Sequence, residues 1–280
     1  MYRILNYIFS FILIYLFILE ANNEDHLHIF LGLLLSVLVA YIAFFGNWIS
    51  LDATKAVVIF GTIIFGLGGW SLAVAVLMFF ITSNLLTRWN RVQREKYSGK
   101  KYRKSGNSKR RDGYQIWANG FWIALFCILW YITGSEALMV ASFTALATAT
   151  ADTWATEVGT VRPGKTVKIN TLQPVRPGSD GGVSVKGTIA SALGALLISG
   201  IIFTTDTVSP FFLFIIVFQF GFIGSIIDSY LGALITDNRI RLKAPSDFSG
   251  NSLMFSNSFV NWASTGTSAL IALIITNLII

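Results

Sequence analysis

The chain has 280 residues, 54% hydrophobic and only 12% charged, with a formal net charge of +7 and a mean hydropathy of +0.65. Soluble domains carry about 25% charged residues, so this balance excludes one. Apolar runs approaching the ~20 residues that cross a bilayer as helix recur throughout, without the short alternating segments of a membrane barrel. The sequence therefore predicts an all-α integral-membrane protein, a polytopic bundle of about nine transmembrane helices forming a single transmembrane domain over residues 1–280.

Nearly all Lys and Arg fall in residues 88–111, 162–186 and 239–243. Basic loops stay on the cytoplasmic side, so the loops at about 88–113, 152–187 and 237–256 are expected there. Lipid headgroups and phosphates, not nucleic acid, are the expected partners of this charge. Cys127 is the only cysteine and lies in an apolar run, so no internal disulfide is possible.

In chain order, the first helix is expected over about residues 4–19. Its basic start resembles a signal peptide, but Glu20-Ala21-Asn22-Asn23 follows instead of a small-residue cleavage site, so it reads as a retained helix. The next stretch, through His26 and His28, reads as an acidic, solvated loop. Helix two is expected over 29–45, helix three over 51–66 and helix four over 70–87. Gly66-Leu67-Gly68-Gly69 breaks the chain between the last two, or Gly61 to Gly69 packs instead as a close kink. The first basic loop, whose early part can continue helix four, leads to helices five (114–133) and six (136–151), a hairpin through Gly134-Ser135. Helices seven (188–204) and eight (211–236) form a second hairpin, and helix nine runs over 257–280. Nine spans put the N-terminus inside and the C-terminus outside, with acidic loops outside.

The chemistry-bearing residues cluster around the central loop. Asp152 and Glu157 are five apart, about 140° around a helix, so an ideal helix does not aim both at one ion. Asp152 shares a face with Thr156, and Thr153 with Glu157. Asp228 lies inside an apolar run, where an ionisable group costs about 3 kcal/mol or more unless paired. It is either a structural hydrogen-bonding group or the ligand that completes a site with Asp152. Mg²⁺ suits one or two carboxylates plus phosphate oxygens, and the chain has no Cys/His cluster for zinc. Alternatively, the helix-end acids pair with Arg162 or Arg176.

Gly178-Ser179-Asp180-Gly181-Gly182-Val183-Ser184 is a glycine-rich turn before helix seven. Free backbone N–H groups at a helix start can hold an anion. The turn matches neither a Walker A loop nor a Rossmann fingerprint, and by itself is equally an ordinary glycine loop. Lys168 and Arg176 flank it and can neutralise phosphate charge. Asn119, in an apolar helix, is expected to face the bundle interior. Asn257, Asn261 and Ser264 share a face at the start of helix nine, suited to helix–helix hydrogen bonds or substrate contact.

Ala151-Asp152-Thr153-Trp154-Ala155-Thr156-Glu157-Val158-Gly159, the Pro177–Ser184 turn with Gly187, Asp228-Ser229 with Leu231-Gly232-Ala233, and Gln115–Gly120 together resemble the membrane family called domain of unknown function 92, or transmembrane protein 19. The likeness runs in order from about Trp70 to the C-terminus. Ser179-Asp180 stands where the family pattern has Thr-Asn, which adds a negative charge beside the turn. The family includes the plant phytyl-phosphate kinase. The resemblance therefore implies phosphoryl transfer from a nucleoside triphosphate to a prenyl-type phosphate. A fainter likeness to the CTP-dependent dolichol and phytol kinases rests on Asp152, Ala155 and Gly159.

The reading that follows is a kinase acting from CTP or ATP on an isoprenoid-like alcohol phosphate. Mg²⁺ would sit on Asp152, Glu157 and Asp228. Substrate and nucleotide would meet Asn119, Lys168, Arg176, Gly178, Ser179, Gly181, Gly182, Ser184, Ser229 and Asn261. The alternatives are a transporter or flippase of an anionic lipid or ion, for which buried acids and glycine-broken helices also serve, and a scaffold.

Overall fold

The computed structural model describes residues 2–98, 110–161, 164–237 and 252–279. Among these residues the chain forms α1 (Tyr2–Leu19), α2 (Asn23–Phe45), α3 (Leu51–Leu67), α4 (Gly69–Ser98), α5 (Gly113–Thr133), α6 (Glu136–Gly159), α7 (Val185–Gly200), α8 (Pro210–Thr236) and α9 (Ser252–Ile279). A 3₁₀ turn, Ile201–Thr204, extends α7, and two short strands, β1 (Val167–Lys168) and β2 (Gly182–Val183), sit in the central loop. Seven of the helices are long and apolar enough to cross a bilayer. The other two are α3, of 17 residues, and α6, which is rich in Ala and Thr.

The expected helices form, but several run further than their apolar stretches. Helix two begins at Asn23, because the Asn22 side chain accepts from Glu24 N and Asp25 N while Asp25 accepts in return from Asn22 N. Such a capping box satisfies free N–H groups at a helix start. The acidic stretch is thus helical, and His26 bonds Phe17 O at 2.7 Å instead of standing in a solvated loop. Helix four continues through its basic segment to Ser98. Helix six continues to Gly159, so Asp152 and Glu157 lie on one continuous helix. The 61–69 glycines break the chain into two helices instead of forming a kink, although two of them do pack closely. Gly69, at φ +66°, breaks the chain, while Gly66 and Gly32 abut and Gly61 meets Ser36 where α2 and α3 cross.

α6 is the axis of the bundle. Residues 137–151 are buried except Leu138, and α4, α5, α7, α8 and α9 all pack around them. Small residues make this possible, since backbones must approach closely where hydrophobic burial gives no drive between helices. A Cβ on Gly221 would stand 2.5 Å from Ala147 Cβ, one on Gly224 2.3 Å from Thr148 Oγ1, and one on Gly194 3.1 Å from Thr150 O. Thr148 Oγ1 and Ser268 Oγ hydrogen-bond at 2.7 Å across the same crossing. The peripheral α1 is held by Trp117 Nε1, which donates to Asn6 Oδ1 at 2.6 Å, and by Phe9 stacked on the Trp117 ring.

Successive turns alternate between two ends of the bundle. At one end the α2–α3 turn pairs with Arg111, Tyr2 packs on Gly113, and Asn90 of α4 reaches the end of α6. Every described Lys and Arg lies toward this basic end. At the other end Ser71 donates to Thr204 O at 3.0 Å, and the charged residues are Glu20, Glu24, Asp25, Glu136 and Asp206.

Candidate functional site

After α6 the chain turns back on itself at the basic end. β1 and β2 pair antiparallel, with Val167 opposite Val183 and Lys168 opposite Gly182. Ile169 N donates to Gly181 O and Val175 N to Thr166 O, closing a compact flap. Two-residue strands carry no hydrophobic period, which is why the sequence reads as loop here. Gly178 and Gly181 adopt φ +85° and +75°, conformations that favour glycine. Gly181 also lies flat on α8, where its own Cβ would meet Ala233. The flap delivers the chain to Ser184, whose Oγ accepts from Gly187 N at 3.2 Å and caps α7. Gly187 abuts Gly159, so the start of α7 touches the end of α6.

Flap and helices enclose a cavity of about 170 Å³. Asp152, Thr156 and Gly159 of α6 form one wall, and the residues 178–184 turn and Ser191 of α7 form another. α8 contributes Asp228, Ser229 and, deeper, the apolar Phe222 and Ile226, while α9 contributes Asn257. The cavity is therefore polar toward the basic end and apolar toward the bilayer interior.

Asp152 and Asp228, from separate helices, meet at its centre with their carboxyl groups within hydrogen-bonding reach of each other. Asp228 is 8% exposed. Its Oδ2 accepts from Ser264 Oγ at 2.8 Å. The Asn261 amide, with its nitrogen turned to the carboxylate, donates to Asp228 Oδ2 at 3.2 Å and to Asn257 O at 3.1 Å. The Asn261 oxygen then faces the Asn119 amide at 3.2 Å and accepts from its nitrogen when that amide is turned likewise, so the α9 face and the α5 asparagine form one relay to Asp228. Asp180 of the flap lines the same cavity and adds a third negative charge near Asp228. No Lys or Arg lines it among the described residues.

The other expected site residues divide. Gly178, Ser179, Gly181, Gly182, Ser184 and Ser229 line the cavity. Glu157 does not. It lies on the other side of α6, as a rotation of about 140° requires. There Thr87 Oγ1 donates to its Oε1 at 2.5 Å and Asn90 Nδ2 to its backbone O at 2.6 Å. Lys168 is also elsewhere, ion-paired with Asp237 at the end of α8, where Asn170 Nδ2 donates to the other carboxylate oxygen at 2.8 Å. Arg176 is exposed and contributes only its backbone O to the turn. Arg162 lies outside the described residues.

Three further residues contribute. Thr156 was visible as the same-face partner of Asp152. Ser191 lines the cavity nearly two turns into α7, with a buried hydroxyl that has no hydrogen-bond partner among the described residues. Arg94, on the extension of α4, brings Nη2 to 4.0 Å from where a Cβ on Gly178 would stand. Neither of the last two carries a local signal, because one looks like any small residue in an apolar helix and the other like any loop cation.

An apolar bundle with carboxylates gathered in an interior cavity at one end defines a polytopic membrane protein with a built polar site. The chain belongs to the family Integral membrane protein DUF92, which matches residues 34–269. It is 34% identical over 140 residues to an uncharacterized membrane protein of Methanocaldococcus jannaschii, covering 50% of this chain and 56% of that protein. It is 31% identical to an uncharacterized membrane protein of Synechocystis, covering 52% of this chain and 61% of that protein. The matches thus span little more than half of each relative. No solved structure matches the chain.

Proposed function

We propose that the chain is an integral-membrane kinase that transfers a phosphoryl group from CTP or ATP to an isoprenoid-like alcohol phosphate. The observation that carries this reading is the apposition of Asp152 and Asp228 beside the glycine turn. Two carboxylates in hydrogen-bonding reach need a cation or a proton between them. With Asp180 nearby and no base in the wall among the described residues, cations accompany an anionic substrate into such a cavity.

The donor set fits Mg²⁺, which is bound by one or two carboxylates and completes its shell with phosphate oxygens and water. Asp152 and Asp228 would hold it, and when bound it would offset charge on the donor phosphates. Ser264 and Asn261 fix the Asp228 carboxylate in place. The 178–184 turn and the start of α7 line the cavity, and free N–H groups at a helix start suit phosphate oxygens. Arg94 at its rim supplies the positive charge first expected of Lys168 and Arg176. Phe222 and Ile226 offer an apolar wall for the lipid tail. In the reaction an acceptor phosphate oxygen attacks the terminal phosphorus of the nucleotide. The bond to the bridging oxygen breaks, yielding a lipid diphosphate and a nucleoside diphosphate. A phosphate monoester is already deprotonated at neutral pH, so positioning and electrostatics suffice without a strong base.

The segregation of bases to one end supports placing that end in the cytoplasm, with the start of α1 inside and the end of α9 outside. The test incubates purified protein with Mg²⁺, CTP or ATP and a panel of prenyl phosphates. Diphosphate formation is expected, and Asp152→Asn is expected to lower its rate by about 100- to 1,000-fold while the protein stays folded. Normal turnover by a folded Asp152→Asn variant refutes the reading. One observation favours a carrier instead: the Asn119–Asn261–Asp228 relay runs into the bundle interior. A carrier would move labelled lipid phosphate across vesicles without nucleotide and form no diphosphate.

A further inference from the structure

A second cavity, of about 70 Å³, lies on the opposite side of α6 from the Asp152–Asp228 pair, between α2, α3, α4 and α5. Its walls are almost wholly apolar, with Val57 and Phe60 from α3 and Val76 and Phe79 from α4. A slot lined this way stays dry and suits hydrocarbon. Half-exposed Val39 of α2 and Leu77 of α4 also line it, so it opens between those helices toward the lipid-facing surface.

One wall breaks the pattern. Arg111, Gln115 and Asn119 follow each other at spacing four and line the slot from its basic end inward. Asn119 is committed to Asn261. The other two side chains are not committed. The Arg111 guanidinium lies over the Phe79 ring at 5.5 Å and makes no ion pair or hydrogen bond among the described residues. Gln115 likewise has no side-chain hydrogen bond there. The facing carboxylate, Glu157, is held by Thr87. Burial pushes the Arg111 guanidinium below the usual arginine range, and the Glu157 charge only partly opposes this. Arg111 is half-buried, and a guanidinium drawn partly out of water without an anion is costly. Arg88 and Arg110 stack over Trp48 and Phe44 in the same corner. The carboxylates beside them are engaged with the local backbone and Ser50: Asp52 accepts from Ser50 Oγ and Gly113 N, and Asp112 from Gln115 N.

We infer that this slot is a separate lipid site, which takes an anionic phospholipid of the surrounding bilayer with its phosphate on Arg111 and Gln115 and the first few methylenes of one acyl chain beside Val57, Phe60 and Val76, the rest of the chain running out between α2 and α4. The depth agrees with that occupant. Arg111 sits just before α5 at the level of the basic loops, and the apolar wall runs from there toward the middle of the bundle. The inference does not depend on the kinase reading, since none of these residues lines the Asp152 cavity.

The test reconstitutes the full chain in nanodiscs of equal phosphatidylglycerol and phosphatidylcholine and counts retained lipid by native mass spectrometry. Wild type is expected to keep one phosphatidylglycerol in preference to phosphatidylcholine by about tenfold, the value of a buried charge-assisted contact. Arg111→Gln should abolish the preference, and Val76→Phe, which fills the slot without touching charge, should abolish retention. Millimolar inorganic phosphate should not displace the lipid, because the chain contributes binding. Equal retention of both lipids by wild type overturns the proposal, as does unchanged preference in Arg111→Gln. Displacement by phosphate alone overturns the lipid in favour of a free anion. Should Arg111→Gln fail to fold, the wild-type preference and a Gln115→Leu variant decide the matter in the same way.

Discussion

Gly181 and Ala233 touch backbone to backbone: a Cβ on Gly181 would stand 2.5 Å from Ala233 Cβ and 2.7 Å from its Cα. This contact fastens the flap to α8 one turn beyond Asp228. Gly181→Ala meets both a φ of +75° and that wall. The left-handed conformation alone costs about 1–2 kcal/mol for a residue with a Cβ. The flap should therefore lift from α8. Protease nicking between residues 164 and 184 is expected to accelerate while the melting of the helical bundle changes little, and limited proteolysis beside circular dichroism measures both.

Glu157→Gln tests the division of the two α6 acids. The amide keeps the shape but weakens a charge-assisted bond from Thr87, worth roughly 1.5–3 kcal/mol. A fall in thermal stability is expected, with diphosphate formation near the wild-type rate. A loss of rate matching that of Asp152→Asn would return Glu157 to the reacting centre.

Ser264→Ala removes the hydroxyl that donates to Asp228 at 2.8 Å. A buried carboxylate deprived of a donor is destabilised by roughly 1–3 kcal/mol. Turnover and Mg²⁺ dependence should both suffer, and Ser264→Thr, which restores a hydroxyl, should recover part of the loss. Titrating Mg²⁺ in the transfer assay separates this from a general folding defect.

Gly224→Ala drives a methyl into Thr148 and Ser268 at the α6–α8–α9 crossing. Overpacking of this kind costs about 1–3 kcal/mol. Thr148→Ala should restore part of the stability in the double variant, because the two residues share one space. Melting temperatures in detergent for the two single variants and the pair provide the cycle.

Much of this was legible in the sequence because the bilayer imposes a simple code. Apolar length marked the spans, and the described Lys and Arg gather at one end, as the spacing of the basic stretches required. Asp228 stood out as a carboxylate among apolar residues, and it lies beside Asp152. What the apolar pattern did not give was the course of helices past the hydrocarbon. The extension of α6 to Gly159 and of α4 to Ser98 rests on polar residues that read equally as loop. That extension decides the fate of Glu157, which turns away from the cavity with the helix that carries it. Lys168 was misplaced for a different reason: its partner Asp237 is 69 residues away, and no local pattern reports such a pairing.

The one-sided distribution of bases has a practical corollary. Lys55, Lys96, Lys165, Lys168 and Lys186 all sit toward the same end, and the opposite end offers only carboxylates among its described charged residues. An amine-reactive reagent that cannot cross a bilayer therefore reaches these described lysines from a single compartment. In sealed vesicles the labelled fraction reports directly which way each molecule was inserted, without any tag or engineered residue.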